Sequence, residues 1–428
     1  MKKLLLVSFS LWLICLNSFA QITLHTNPPA LAGMNEQRLS RIDTLFEDYL
    51  KRQWIAGGTV IVARHGQIVY HKAFGYSNLD TKTPATTQDI YRIASQTKAL
   101  TSVGIMILLE EGKLLLDDPL AKYIPEFANP TVIETFNDKD TTYTTTKARR
   151  PITIRDLLTH TSGIGYAQIG TPRAKAMYAK AGIHSQIGVP TAQLKQQVLA
   201  LAQMPLEHQP GERFTYGLNS DVLGYLIEVI SGQSFAQFIR TRITEPLGMQ
   251  DTWFYLPPDK HKRLVALHTE DDKGRSVVMK TSPATVGNLN INYSLAKDGL
   301  YSGGAGLVST AYDYAIFMQM LLNGGIYNNK RIISKNSVDL MTQNQIGNID
   351  RGPNEKFGLG FGILTEQGSA KLGVSPGSFS WGGAFSSQYW IDPKEGIVGQ
   401  IFLNQFPNSH GDIHDKVKVL VYSAIEPE

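Results

Sequence analysis

Residues 97–109 read TKALTSVGIMILL, and Lys98 is their only charge. The run predicts a helix that is apolar on every side and ends near Glu111, with Gly112 as a left-handed stop. Such a helix has to be enclosed by other elements. The remaining chain must supply that cover, and 428 residues suffice for one large domain with an insertion, or for two lobes.

Candidates for the cover stand on both sides. RLSRIDTLFEDYLKR (38–52) spaces Leu39, Ile42, Leu45, Phe46 and Leu50 as an amphipathic helix. GTVIVARHGQIVYHKAFG (58–75) holds two β-rich runs around His65-Gly66, a hairpin signal. After residue 300, SGGAGLVST leads into the helix AYDYAIFMQMLL, which Gly324-Gly325 ends. The strand-like runs FGLGFGIL, SFSWGGAF, SQYWID and GIVGQIFLN follow, and DIHDKVKVLVYSAI closes as a helix. Between the two β-rich ends, residues 113–286 break into short helical patterns such as 154–158 and 221–230. The expected architecture is α/β (α+β): an antiparallel sheet flanked by helices over about 38–112 and 287–428, with an all-α lobe over about 113–286. A cleft between two such units is where a site is expected.

The first twenty residues stand apart. Lys2 and Lys3, an apolar core over 4–16 and Ser18-Phe19-Ala20 form a secretory signal, so a periplasmic or secreted location is expected. The only cysteine, Cys15, lies inside that segment, which excludes a thiol nucleophile and a cysteine-ligated zinc site from the mature chain. Formal charge is +4, of which Lys2 and Lys3 supply two, and the basic residues are scattered. Neither nucleic acid nor a membrane surface is indicated as a partner.

Ser95 and Lys98 form Ser-x-x-Lys, a cheap pattern that recurs at Ser294 and Lys297. Asp298-Gly299 follows the second copy, so no helix can hold that lysine one turn from its serine. Ser95 opens the buried helix instead, where residues i and i+3 share a face. As a plain N-cap it would call for Glu or Gln three residues on. Lys98 occupies that place, where a cation faces the positive helix end at a cost of roughly 0.3–1 kcal/mol. The same dipole, with burial, favours the neutral amine a base needs. Helix-start geometry also offers the Ser95 N–H as an oxyanion donor. Local stability argues against this lysine, and such violations mark functional sites.

Partners for the serine are sought next. There is no Gly-x-Ser-x-Gly elbow. His160 sits in a polar turn and reads as structural, and His410 and His414 form an i, i+4 pair without an evident third metal ligand. Tyr216, just before an amphipathic helix in PGERFTYGLNSDVLGYLIEVISG, is the better second group.

With RIASQTKALTS, LLEEGKLLLDDPLAKYIPEF, ITIRDLLTHTSGIGY, PGERFTYG, SDVLGYLIEVISG, SGGAGLVSTAYDYAIFMQMLLNGG and SWGGAFSSQYWIDP in this order, the chain resembles the serine β-lactamase-related hydrolases. That superfamily comprises class C β-lactamases, DD-peptidases and family VIII carboxylesterases. The resemblance implies that Ser95 attacks the acyl carbon, Lys98 assists its deprotonation and Tyr216 shuttles protons to the leaving group. It places Trp381, Gly382 and Gly383 along the cleft and pairs the Ala384 N–H with that of Ser95 as the oxyanion hole. No cofactor and no metal are called for.

Two motifs depart from the family pattern. Tyr-x-Asn becomes Tyr216-Gly217-Leu218-Asn219, so the match puts Asn219 in the substrate cleft but one place late for the family's amide contact. Lys-Thr-Gly or His-Thr-Gly becomes Trp381-Gly382-Gly383. A lysine there pairs with a substrate carboxylate, a contact that contributes about 1.5–3 kcal/mol. Without it, and with a tripeptide that many esterases of the superfamily carry, small esters, neutral ones above all, become the expected substrates, with small amides as a further class. The enzymatic alternative is a DD-peptidase or weak β-lactamase, and the non-enzymatic one is a penicillin-binding sensor. Whether Lys98 or Tyr216 takes the proton stays open. A free tyrosine titrates near pH 10, so a phenolate at pH 7 costs roughly 4 kcal/mol.

Overall fold

The computed structural model describes residues 23–183, 193–281 and 290–427. The expected signal segment, 1–20, lies outside them. At the centre is a nine-stranded sheet. Its strands are β1 (His25–Thr26), β2 (Gly57–Arg64), β3 (Gln67–Asn78), β4 (Thr83–Pro84), β5 (Glu355–Phe357), β6 (Gly362–Leu364), β7 (Phe379–Gly383), β8 (Ser387–Asp392) and β9 (Ile397–Phe402). They run β1-β3-β2-β9-β8-β7-β6-β5, with β4 beside β3, and every pair is antiparallel except β1 with β3. The predicted hairpin turns at His65 and Gly66, both with positive φ, as a tight two-residue connection requires. The N- and C-terminal portions meet where β2 pairs β9, from Thr59 opposite Phe402 to Arg64 opposite Ile397.

Strand β2 is buried on both faces, and its alternation divides the core. Val60 and Val62 pack with α1 (Arg41–Lys51), while Ile61 and Ala63 face the opposite layer with α2 (Thr97–Glu110). On the first side α5 (Ile413–Ser423) completes the cover through Val417 and Val421. On the second side lie α3 (Asn219–Ser231), packed on α2, and α4 (Ala311–Leu322), packed on β2 and β9. The apolar helix is enclosed as its composition demands: every residue from Thr97 to Leu108 is buried. Gly104 allows the α2–α3 approach, since a Cβ there would lie 2.9 Å from Ile227 Cδ1.

Between α2 and α4 the chain forms the expected short helices, including Ile154–Leu158, Pro172–Lys180 and Leu194–Ala202. It also forms two hairpins that the helical reading did not foresee, Thr131–Phe136 with Tyr143–Lys147 and His268–Glu270 with Ser276–Val278. Tyr143–Lys147 is exposed along its whole length, so no apolar alternation marked it. Among the described residues no single helix is long and apolar enough to cross a membrane.

Candidate active site

Ser95 lies in a single 3-10 turn, Ala94–Gln96, immediately before α2. The sequence placed it on the helix itself; the turn keeps the i, i+3 relation because such turns eclipse those positions. Ala94 has φ +43°, a left-handed conformation unusual for a side chain, and it tips Ser95 out of the core. The turn is pinned from behind. The Ile93 N–H donates to the Leu307 carbonyl at 3.1 Å, the Leu307 N–H donates to Thr97 Oγ1 at 3.1 Å, and the Tyr314 hydroxyl donates to the Gln96 carbonyl at 3.0 Å. Gln96 is the N-cap of α2 and no side chain caps it, so the Ser95 hydroxyl serves no capping role.

Two groups converge on the Ser95 hydroxyl. Tyr216 OH lies 2.8 Å from Ser95 Oγ, and Lys98 Nζ lies 3.3 Å from it. Lys98 is only 3% exposed; its Nζ also donates to the Gly304 carbonyl at 2.7 Å and sits 4.7 Å from the Tyr216 ring centre and 5.7 Å from that of Tyr166. Tyr166 and Trp381 flank Tyr216, with ring centres 5.6 and 5.5 Å away. The three residues singled out for proton handling are thus brought together.

The Tyr216 turn explains why the asparagine stands one place late. A Cβ on Gly217 would lie 1.9 Å from the Ile164 carbonyl oxygen, so the chain threads past that carbonyl only as glycine. Asn219 then begins α3 and is fully buried. Its Nδ2 donates to His160 Nδ1 at 2.9 Å, and its Oδ1 accepts from Ser162 Oγ at 2.5 Å. The expectation that Asn219 lines the cleft is corrected: the extra residue turns its amide inward, where it braces the His160 loop. His160 reads as structural here too. Burial, with the charges of Lys98 and Arg351, holds its pKa well below 6.5, so the ring stays neutral, and its Nδ1 accepts from Asn219 Nδ2 and the Gly217 N–H.

The opposite wall is β7. Its ladder with β6 covers only Phe379 and Ser380, so Trp381, Gly382 and Gly383 present an edge without a β6 partner. Gly383 packs on the nucleophile's turn: a Cβ there would lie 2.3 Å from the Ile93 carbonyl oxygen. Exposed Ala384 follows directly, beyond the last β7–β8 pair of Gly383 with Ser387.

One acidic member was not anticipated. Asp221, in the first turn of α3, is 1% exposed and accepts a hydrogen bond from Ser302 Oγ at 2.6 Å. A Cβ on Gly304 would lie 2.7 Å from Asp221 Oδ2 and 3.4 Å from Lys98 Nζ, so acid and amine both border the space that a side chain on Gly304 would fill. Burial pushes Asp221 up from 3.8 to about 6, against the opposing pulls of Ser302 and Lys98. The folded state therefore holds a proton that the unfolded chain has released, and stability falls as pH rises from about 4 to about 6. Asp221→Asn does not titrate. Its stability relative to wild type is expected to climb across that window by about 3 kcal/mol, read by urea unfolding at each pH. A difference that stays flat with pH would contradict this. An acid in the first turn of α3 was its sequence signal, and an ordinary dipole-favoured residue gives the same signal.

The Beta-lactamase family model matches residues 42–423. The chain belongs to the Beta-lactamase family. A Mycobacterium tuberculosis protein is 31% identical over 372 residues, 83% of this chain and 87% of that relative. Esterase EstB of Burkholderia gladioli is 27% identical over 381 residues, 85% of this chain and 90% of the esterase. Among solved structures, EstCE1, titled a hydrolase with promiscuous acyltransferase activity, superposes with a TM-score of 0.79 at 27% identity, over 90% of this chain and 99% of that one. Membership and these relatives make this Beta-lactamase family protein a hydrolase of the β-lactamase fold.

Proposed function

We propose that this protein is an exported serine hydrolase that cleaves small neutral esters through an acyl-enzyme on Ser95. The observation that carries the reading is the placement of Ser95 Oγ within 2.8 Å of Tyr216 OH and 3.3 Å of Lys98 Nζ, at the foot of the open β7 edge. In the proposed cycle Ser95 Oγ bonds to the acyl carbon and its proton passes to the Lys98–Tyr216 pair. The ester oxygen leaves with a proton delivered by Tyr216, and water then releases the acid by the reverse proton path. The N–H groups of Ser95 and Ala384 receive the charge that develops on the carbonyl oxygen. Lys98, held by Gly304 and lying over the Tyr216 ring, supplies the positive charge that a transient phenolate needs. Export rests on the pattern of residues 1–20.

The preference for neutral esters rests on Trp381, which stands where a carboxylate-binding lysine is common in the family. The name of the relative EstB, an esterase, agrees with it. The test is steady-state hydrolysis of p-nitrophenyl acetate, a chromogenic cephalosporin and a D-Ala-D-Ala peptide by one preparation. The ester is expected to exceed both others in kcat/KM by roughly 10–10²-fold, the discrimination expected when a charge-assisted contact of about 1.5–3 kcal/mol is missing. A peptide or cephalosporin rate above the ester rate would overturn the ester assignment.

A further inference from the structure

Arg351 precedes β5 and makes no contact with Ser95, Lys98 or Tyr216, yet its guanidinium is wedged behind the wall of the cleft. Its Cζ lies 4.3 Å from the Phe214 ring centre, 5.0 Å from that of Phe357 and 5.1 Å from that of Trp381. These rings come from three separate parts of the site: the turn that carries Tyr216, the edge strand β5 and the cleft strand β7. Phe214 and Phe357 also meet edge-on at 5.1 Å, and Phe357 meets Trp381 at 5.4 Å, so the cluster closes around the cation.

Glu355 accepts from Arg351 Nη2 at 2.9 Å and compensates the charge. A compensated guanidinium is poorly placed to recruit an anionic substrate, and its flat shape suits stacking among rings. Arg351 also borders a cavity of about 320 Å³, with Asn354, Ser378 and Gln388 among the lining residues. Trp381 does not reach that space. The guanidinium thus touches both that cavity and the indole that faces Tyr216 at 5.5 Å.

We propose that Arg351 sets the acyl-size selectivity of the cleft by holding Trp381 forward against Tyr216. It is a positioning residue, acting through Trp381 and Phe214. A shorter or non-planar side chain leaves Trp381 room to fall back, which widens the cleft beside the β7 edge. Longer acyl chains then gain access, and short ones lose their alignment against Tyr216. The selectivity part of this proposal rests on the ester-hydrolase reading.

The experiment measures kcat/KM for p-nitrophenyl acetate and p-nitrophenyl hexanoate with wild type, Arg351→Met and Arg351→Lys. Variants are first checked for a cooperative urea transition. The hexanoate-to-acetate ratio is expected to rise roughly tenfold in Arg351→Met and by less in Arg351→Lys. An unchanged ratio in folded variants overturns the proposal. So does a loss confined to a succinyl ester, which would make Arg351 an anion-recognition group. A second readout does not depend on catalysis: a urea-unfolding cycle over Arg351→Met and Trp381→Phe, expected to be non-additive. Additive effects would break the link between the two residues. Wild type without ester turnover would sink the ester reading, leaving the cycle to judge the positioning claim.

Discussion

Ser95→Ala is expected to bring ester hydrolysis down to the buffer rate, a fall on the order of 10⁴-fold or more. The expectation follows from the geometry around one oxygen. Ser95 Oγ is the meeting point of Tyr216 OH and Lys98 Nζ, and no other serine hydroxyl is hydrogen-bonded to both groups among the described residues. The substitution costs the fold little. The hydroxyl caps no helix, Lys98 keeps its bond to the Gly304 carbonyl, and the turn is held by backbone bonds through Ile93 and Leu307. A stability change under about 1 kcal/mol is expected, so lost activity would be lost chemistry. A Ser95→Ala protein that still turns over ester at a large fraction of the wild-type rate would remove the assignment of the nucleophile.

Lys98→Met and Tyr216→Phe form the second large expectation. Each removes one member of the proton path, and each is expected to lower kcat by about 10²–10⁴-fold with a smaller effect on KM. Because the two act as a unit, the double variant should be scarcely worse than the poorer single. Multiplicative losses would instead mean that the groups serve separate steps. Their stability effects should differ. Lys98 and Asp221 are both buried and border the same space beside Gly304, so Lys98→Met leaves a buried carboxylate without the positive charge that acts on it. That loss should be greatest above about pH 6, where Asp221 is ionised, and adding Asp221→Asn should restore much of it. Tyr216→Phe keeps its ring contacts with Tyr166 and Trp381 and should unfold close to wild type.

How far the site could be read from sequence depended on how local each relation is. Ser95 and Lys98 were legible because they stand three positions apart on a backbone that superimposes i and i+3, and because an ammonium in a helix's first turn violates a local rule. Trp381, Gly382 and Gly383 were legible because a strand carries them in an unbroken run. Asn219 was misplaced because one residue, Gly217, passes under the Ile164 carbonyl and turns the amide inward; spacing registers the delay but not its direction. Asp221 and Arg351 were missed because their meaning exists only after folding. One lies behind a lysine 123 positions earlier in the chain, and the other fills a space among three distant rings.

The same distinction holds for the fold. The enclosed α2, the His65-Gly66 hairpin and the strands of 355–402 carry apolar or β-rich runs that burial imposes, so burial can be read back from them. The hairpin of Thr131–Phe136 with Tyr143–Lys147 is largely exposed, and its threonine-rich strand left only β-propensity as a trace.

The central claim is that Ser95 becomes covalently acylated, and peptide mapping addresses it most directly. Arg92 and Lys98 bound a six-residue tryptic peptide, IASQTK, in which Ser95 is the only serine. After reaction with a fluorophosphonate, which traps an activated serine, and digestion with trypsin, the account predicts the added mass on Ser95 of this peptide, with none taken up by Ser95→Ala. An adduct on another residue, or equal labelling of the Ser95→Ala protein, would contradict it.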